Sequence, residues 1–243
     1  MTGRPCLSPS LHSAAAGASR RSAFGVAATA ALLAACSSTP PPPDWRLNAR
    51  GALERAVAAQ LSGDTRVAEV EFTRARAEVV RTGRVDLVAR SELVRCATQV
   101  ASLVDEPCAA FEALRADAPA SEQAYADYLR GRVDAQGVGH LPVAQQAIAA
   151  SGATAASDLA ALQAMADPLS RLVGAAASLR AGRASPAIID LAVGTASDQG
   201  WRRPLLAWLG VARQVAAQAG DQAAAERLSR RIELVLGGPS TAP

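Results

Sequence analysis

Side chains able to do chemistry are few in this chain. Cys36 sits between the apolar run that ends Leu32-Leu33-Ala34-Ala35 and four consecutive prolines, Pro40 to Pro43. Cys96 and Cys108 follow in the interior, and His140 is the only histidine beyond Cys36. All 25 basic residues are arginine. Without lysine there is no P-loop lysine, no Schiff base and no Ser-Lys pair. A single histidine cannot assemble a His-Glu-x-x-His site or a zinc knuckle within one subunit. No Gly-x-Ser-x-Gly elbow occurs, and Gly137-Val138-Gly139-His140 is too short for a dinucleotide fingerprint.

Carboxylates are plentiful, but action on a glycan requires an acid set in a deep cleft. Ser91-Glu92 and Ser121-Glu122 reverse the Glu-Ser order that begins transglycosylase motifs, and both read as solvated acids at helix starts. His140, beside Pro142 in a glycine-containing loop, reads as a solvated or helix-capping residue. The residues therefore predict no catalytic, cofactor-binding or metal-binding site, and no enzyme.

Upstream of Cys36, Arg20 and Arg21 form a positive end and 23–35 an apolar stretch, the pattern of a targeting segment. Such a run is short for a bilayer, since a spanning helix takes about 20 residues. Leu33-Ala34-Ala35-Cys36 resembles the lipobox of bacterial prolipoproteins at all four positions. That resemblance implies diacylation of the Cys36 thiol, cleavage just before it and acylation of the new amino group. Ser37 in place of Asp implies delivery to the outer membrane of a Gram-negative cell, facing the periplasm. The implied division is 1–35 as cleaved signal, 36–44 as lipid-attachment site and proline-rich tether, and 45–243 as folded domain.

Removal of 1–35 takes away Arg4, Arg20 and Arg21 and no acid, so the formal charge of +3 falls to zero. No strong net field for nucleic acid or acidic lipid remains. Several acyl chains on one residue anchor stably, at about 0.8 kcal/mol per buried methylene. The prolines favour polyproline II, rising about 3.1 Å per residue, which holds the domain roughly 25 Å from its membrane.

From Trp45 onward alanine dominates and Gly or Pro recurs between helical stretches, which predicts an all-α domain. Helices are expected at 46–61, 66–80, 85–103 and 108–115, then at 121–132, 141–150 and 157–166. Val133 to His140 reads as a loop. Four more helices are expected at 168–181, 185–196, 201–219 and 221–236, joined by short connections into antiparallel hairpins.

Gly63-Asp64 is followed by Ala68, Phe72 and Ala75, and Gly182 by Ala187, Leu191 and Gly194 at identical intervals. Gly220-Asp221 with Ala225, Ser229 and Ile232 keeps the spacing but not the sizes. The turn, small, large, small order resembles the second helix of tetratricopeptide repeats over 46–81 and 168–236. That likeness implies a TPR-like α-solenoid; the alternative is an irregular bundle of alanine-rich hairpins.

Cys96 and Cys108 in an oxidising compartment read as a disulfide. If the helix carrying Cys96 runs unbroken to Leu103, the two lie too far apart for a bridge and become small core residues instead. Their spacing is not that of a Cys-x-x-Cys redox pair. Glu71 with Arg74, Glu78 with Arg81 and Glu92 with Arg95 stand at helical intervals and predict a solvated charged face. Trp201 and Trp208, with Leu205 between them, are expected to anchor the last hairpins.

The sequence thus points to a lipid-anchored envelope lipoprotein, attached to the membrane at Cys36, that acts as a non-catalytic module binding another protein. The rival readings are an enzyme acting on peptidoglycan or another glycan, and a purely structural lipoprotein.

Overall fold

The computed structural model describes residues 41–237; Cys36, the lipobox and most of the tether lie outside them. Every regular element among the described residues is helical.

In six places a helix closes with the same pair of backbone bonds, a 6→1 bond around a nested 5→2 bond. Gly63, Gly131, Gly182, Gly200 and Gly220 take the left-handed position of that motif, with φ of 98° at Gly63 and 69° at Gly182. Leu103, at φ 57°, takes it in the sixth. A β-carbon there costs about 1 kcal/mol, offset by the packing of the half-buried Leu103 side chain against the main core. At the other ends, Asp64, Asp167, Ser185 and Asp221 each accept a hydrogen bond from the backbone N–H three residues on.

The elements follow as α1 (Asp44–Ser62), α2 (Thr65–Val80) and α3 (Val85–Ala101). Short α4 (Ala109–Glu112) and a 3-10 turn (Arg115–Asp117) lead to α5 (Ala120–Leu129), α6 (Ala135–Val138), α7 (Val143–Ala149) and α8 (Ala155–Ala164). Four helices close the chain: α9 (Pro168–Arg180), α10 (Pro186–Asp198), α11 (Arg202–Gln218) and α12 (Gln222–Leu236).

Hairpins α1/α2, α10/α11 and α11/α12 pack on their sequence neighbours, as short connections require. Two contacts join distant parts: α9 packs against α3, and α11 against α1. The main core forms where these meet, around Leu93, Phe111, Leu129, Leu172, Ile188 and the fully buried Trp208. Trp208 Nε1 donates to the Ala101 carbonyl at 3.1 Å, tying α11 to the end of α3.

Several expectations shift. The helix from Val85 stops at Ala101, two residues short, because the Leu103 turn ends it. The expected helix at 108–115 divides into α4 and the 3-10 turn, and the expected loop at 133–140 contains α6, capped by Asp134. Trp208 anchors the core as expected, whereas Trp201 is half-buried at the start of α11. In the first tetratricopeptide-like unit Ala68, Phe72 and Ala75 are all buried. In the second, Ala187 is exposed, and α10 turns Ile188, Ile189, Ala192 and Val193 inward instead.

Candidate functional site

The early end of α3 stops the chain where Cys108 can return to Cys96. Their Cα atoms lie 5.8 Å apart, within bridging range, and the two sulfurs are at disulfide distance. Both residues are buried, and the pair clamps the α3–α4 turn.

The acids differ from expectation. Glu71, Glu92 and Glu122 are buried, at 6%, 6% and 5% exposure, and arginines on neighbouring helices reach over to them. Arg55 of α1 donates to Glu71 Oε2 of α2 through Nε at 3.1 Å and Nη2 at 2.8 Å, while Arg74 donates to Oε1 at 2.6 Å. Arg76 of α2 donates to Glu92 of α3 at 2.9 Å. Arg90 of α3 donates through Nε and Nη2 to Glu122 Oε1 of α5, at 3.0 and 2.6 Å. Three successive helix junctions are therefore stitched by Arg–Glu pairs, because a buried carboxylate must have a partner.

Of the three helical-interval pairs, Glu71–Arg74 and Glu78–Arg81 form. Glu92 instead takes Arg76, and Arg95 turns to Glu69. One signal for this was present in the sequence. Arg55 to Glu71 and Arg76 to Glu92 share a separation of 16 residues, the span of one helix plus its turn.

Hydrogen bonding to Arg55, opposed by burial and aided by the charges of Arg55 and Arg74, holds the Glu71 carboxyl below its ordinary value. Burial pushes Glu122 upward, but hydrogen bonds from Ser121 and Arg90 together with the Arg90 charge outweigh it and keep that carboxyl low. Arg90 and Ser121 thus favour the charged form of Glu122.

Two concavities border this junction. The inner one, about 470 Å³, has an apolar floor of Leu93, Val94, Ala97, Leu141 and Leu169. Its polar wall gathers Arg90, Ser121, Glu122, Tyr125, His140 and Ser170 from α3, α5, the turn before α7 and the start of α9. Tyr125 stacks on Tyr128, with ring centroids 6.1 Å apart. Burial and the nearby Asp167 carboxylate push the Tyr125 phenol up to about 12, so it remains a neutral hydrogen-bond donor. The sequence placed His140 in a solvated loop; it is exposed and also lines this cavity, beside the Glu122 that the sequence placed at the surface.

The outer groove, about 400 Å³, runs between α1 and α3 over Ala49, Leu53, Val79, Leu87 and Val94, with Trp45 at its end. Arg46, Arg50, Glu54, Arg84 and Arg90 edge it. Arg90 and Val94 of α3 line both concavities.

Among the described residues no group of three or more His, Cys, Asp or Glu is placed to hold a metal ion, and no helix is long and apolar enough to cross a membrane. No family model matches the chain, and no curated protein and no solved structure matches it.

Proposed function

We propose that this protein is a bacterial envelope lipoprotein, held to the periplasmic face of the outer membrane by acyl chains on Cys36, that binds a protein partner in the apolar concavities bordering α3. The observation that carries the reading is the pair of concavities on either side of Arg90 and Val94. Both have a mostly apolar lining with arginine at the edge, at about 470 and 400 Å³. Clefts of this kind receive a peptide or helix and need no cofactor. In favour of a non-catalytic role, Glu122 is paired with Arg90 and favoured in its charged form, whereas a glycan-cleaving acid needs a carboxyl raised toward neutrality. The TPR-like resemblance of the hairpins belongs to the same proposal.

The test is chemical crosslinking of the full chain in its native envelope, followed by purification and identification of what remains attached. Trp45→Ala, at the mouth of the groove, should lose a protein that the wild type and Leu234→Ala both retain. Recovery of nothing above background from an abundant wild-type chain, or recovery indifferent to Trp45→Ala, refutes the binding module. For the anchor, Cys36→Ser should abolish fatty-acid labelling and leave an uncleaved precursor; continued labelling refutes it.

A further inference from the structure

We infer that the outer groove receives an acidic amphipathic segment of the partner, with aliphatic side chains on one face and Asp or Glu flanking them. The inference rests on the binding-module reading and names the chemistry of its occupant. Four arginines and a single carboxylate, Glu54, line the groove. Three of these arginines already face carboxylates, Glu54, Asp86 and Glu122, so the surplus at the groove is Arg46, with the exposed Arg50 and Arg84 pairs open to exchange.

The cations differ in how firmly they are held. Arg90 is committed to the buried Glu122. Arg46 lies over the Trp45 ring, its Cζ 5.4 Å from the centroid, and makes no ion pair among the described residues. Arg50 pairs with Glu54 at 2.8 Å, but both side chains are more than half exposed. Arg84 pairs with Asp86 at 2.6 Å, near the surface. Exposed pairs of this kind contribute little, so an incoming carboxylate displaces one at small cost. The guanidinium fork holds a carboxylate through two parallel bonds, which the ammonium of lysine cannot do.

Between the arginines, Ala49, Leu53, Val79 and Leu87 form a trough in which aliphatic side chains of a peptide lose their contact with water. A flat anionic bilayer would meet the arginines but leave that trough unfilled. The geometry therefore favours an acidic polypeptide over a lipid surface.

The experiment titrates the purified full chain into two labelled 15-residue peptides that share one leucine face and differ elsewhere, one carrying Glu and Gln, the other Lys and Gln. Fluorescence anisotropy should show the Glu peptide binding about tenfold more tightly, as two or three exposed charge pairs allow. Arg46→Glu with Arg50→Glu, both surface positions whose exchange leaves the core intact, should reverse the order. Arg213→Glu with Arg230→Glu, the same charge change on α11 and α12, should leave it unchanged.

Equal affinities, or an order indifferent to Arg46 and Arg50, would overturn the acidic occupant while leaving the crosslinking result above untouched. Binding to phosphatidylcholine vesicles containing phosphatidylglycerol, lost in the Arg46/Arg50 variant while neither peptide binds, would overturn it in favour of the membrane.

Discussion

The apolar cluster between α1 and α2 is Ala56, Ala59, Ala68 and Phe72, with Leu61 and Ala75 also buried on these helices, whereas the core around α9–α11 sets Leu172, Val173, Ile188, Ile189, Trp208 and Leu209 beside its alanines. The first region brings its helices together over small residues and fastens them with arginines laid across buried glutamates. The second fills its space with branched and aromatic side chains. Polar groups of α5, α7 and α8 buried against it bond to one another and to α9, although Asp158 Oδ1 has no protein partner. Tyr128 donates to Gln145 Oε1 at 2.6 Å, Gln145 donates to the Ser170 carbonyl at 2.9 Å, and Ser178 and Arg183 both donate to Asp158 Oδ2. Each alanine methyl removes little apolar surface from water, so ion pairs make up a larger share of the cohesion of the N-terminal layer, while the most deeply buried pair, Arg183–Asp158, belongs to the C-terminal core. The layer that carries the groove is thus the more sensitive to acid and salt.

The largest test of that contrast is Trp208→Ala, which removes a fully buried ring and its bond to Ala101. A loss of about 4 kcal/mol is expected in denaturant unfolding, as for other buried aromatic truncations. A loss below about 1 kcal/mol would mean that α11 does not hold the core together. Next comes the Cys96–Cys108 clamp. Closing a loop of 12 residues limits the unfolded chain enough that Cys96→Ala should cost nearly 3 kcal/mol. Two alkylated thiols after unfolding without reductant would show that the pair is not bridged.

Arg183→Ala should follow at about 2–3 kcal/mol, because it leaves the fully buried Asp158 carboxylate without its cation. Adding Asp158→Asn should restore much of the loss, which a purely steric role for Arg183 would not allow. In the N-terminal layer the effects are smaller. Arg90→Ala should cost about 1 kcal/mol, given that the arginine is itself mostly in solvent, and less at high salt.

The pH dependence carries the same sign. Glu71 and Glu122 have folded-state values below their unfolded ones. Their contribution is therefore complete above about pH 5 and is lost as pH falls through the lowered values. Hydrogen exchange across an acid titration should release α1–α3 before α9–α11; simultaneous release would erase the distinction between the regions.

Much of the architecture was readable because helix caps and turn glycines are local signals. Asp64, Asp167, Ser185 and Asp221 stand where helices begin, and Gly63, Gly182, Gly200 and Gly220 where they end. Leu103 carried no such signal. It adopts a glycine conformation because the core beneath it holds its side chain, a tertiary cause that no neighbouring residue announces. The site was less legible for the same reason. Glu92 and Glu122 look like surface acids in sequence, and only the packing of α3 on α2 and α5 buries them and makes Arg76 and Arg90 their partners. His140 joined the cavity through the turn before α7, which no periodic pattern places.

The most direct measurement is photocrosslinking inside the living envelope, with a benzophenone side chain in place of Trp45 at the groove mouth and, separately, of the exposed Leu234 on α12. The Trp45 position should yield a discrete crosslinked protein, with the bond mapped to an acidic amphipathic segment, and the Leu234 position should not. Crosslinks from Trp45 to lipid alone, or the same pattern from both positions, would contradict the groove as a partner-binding site.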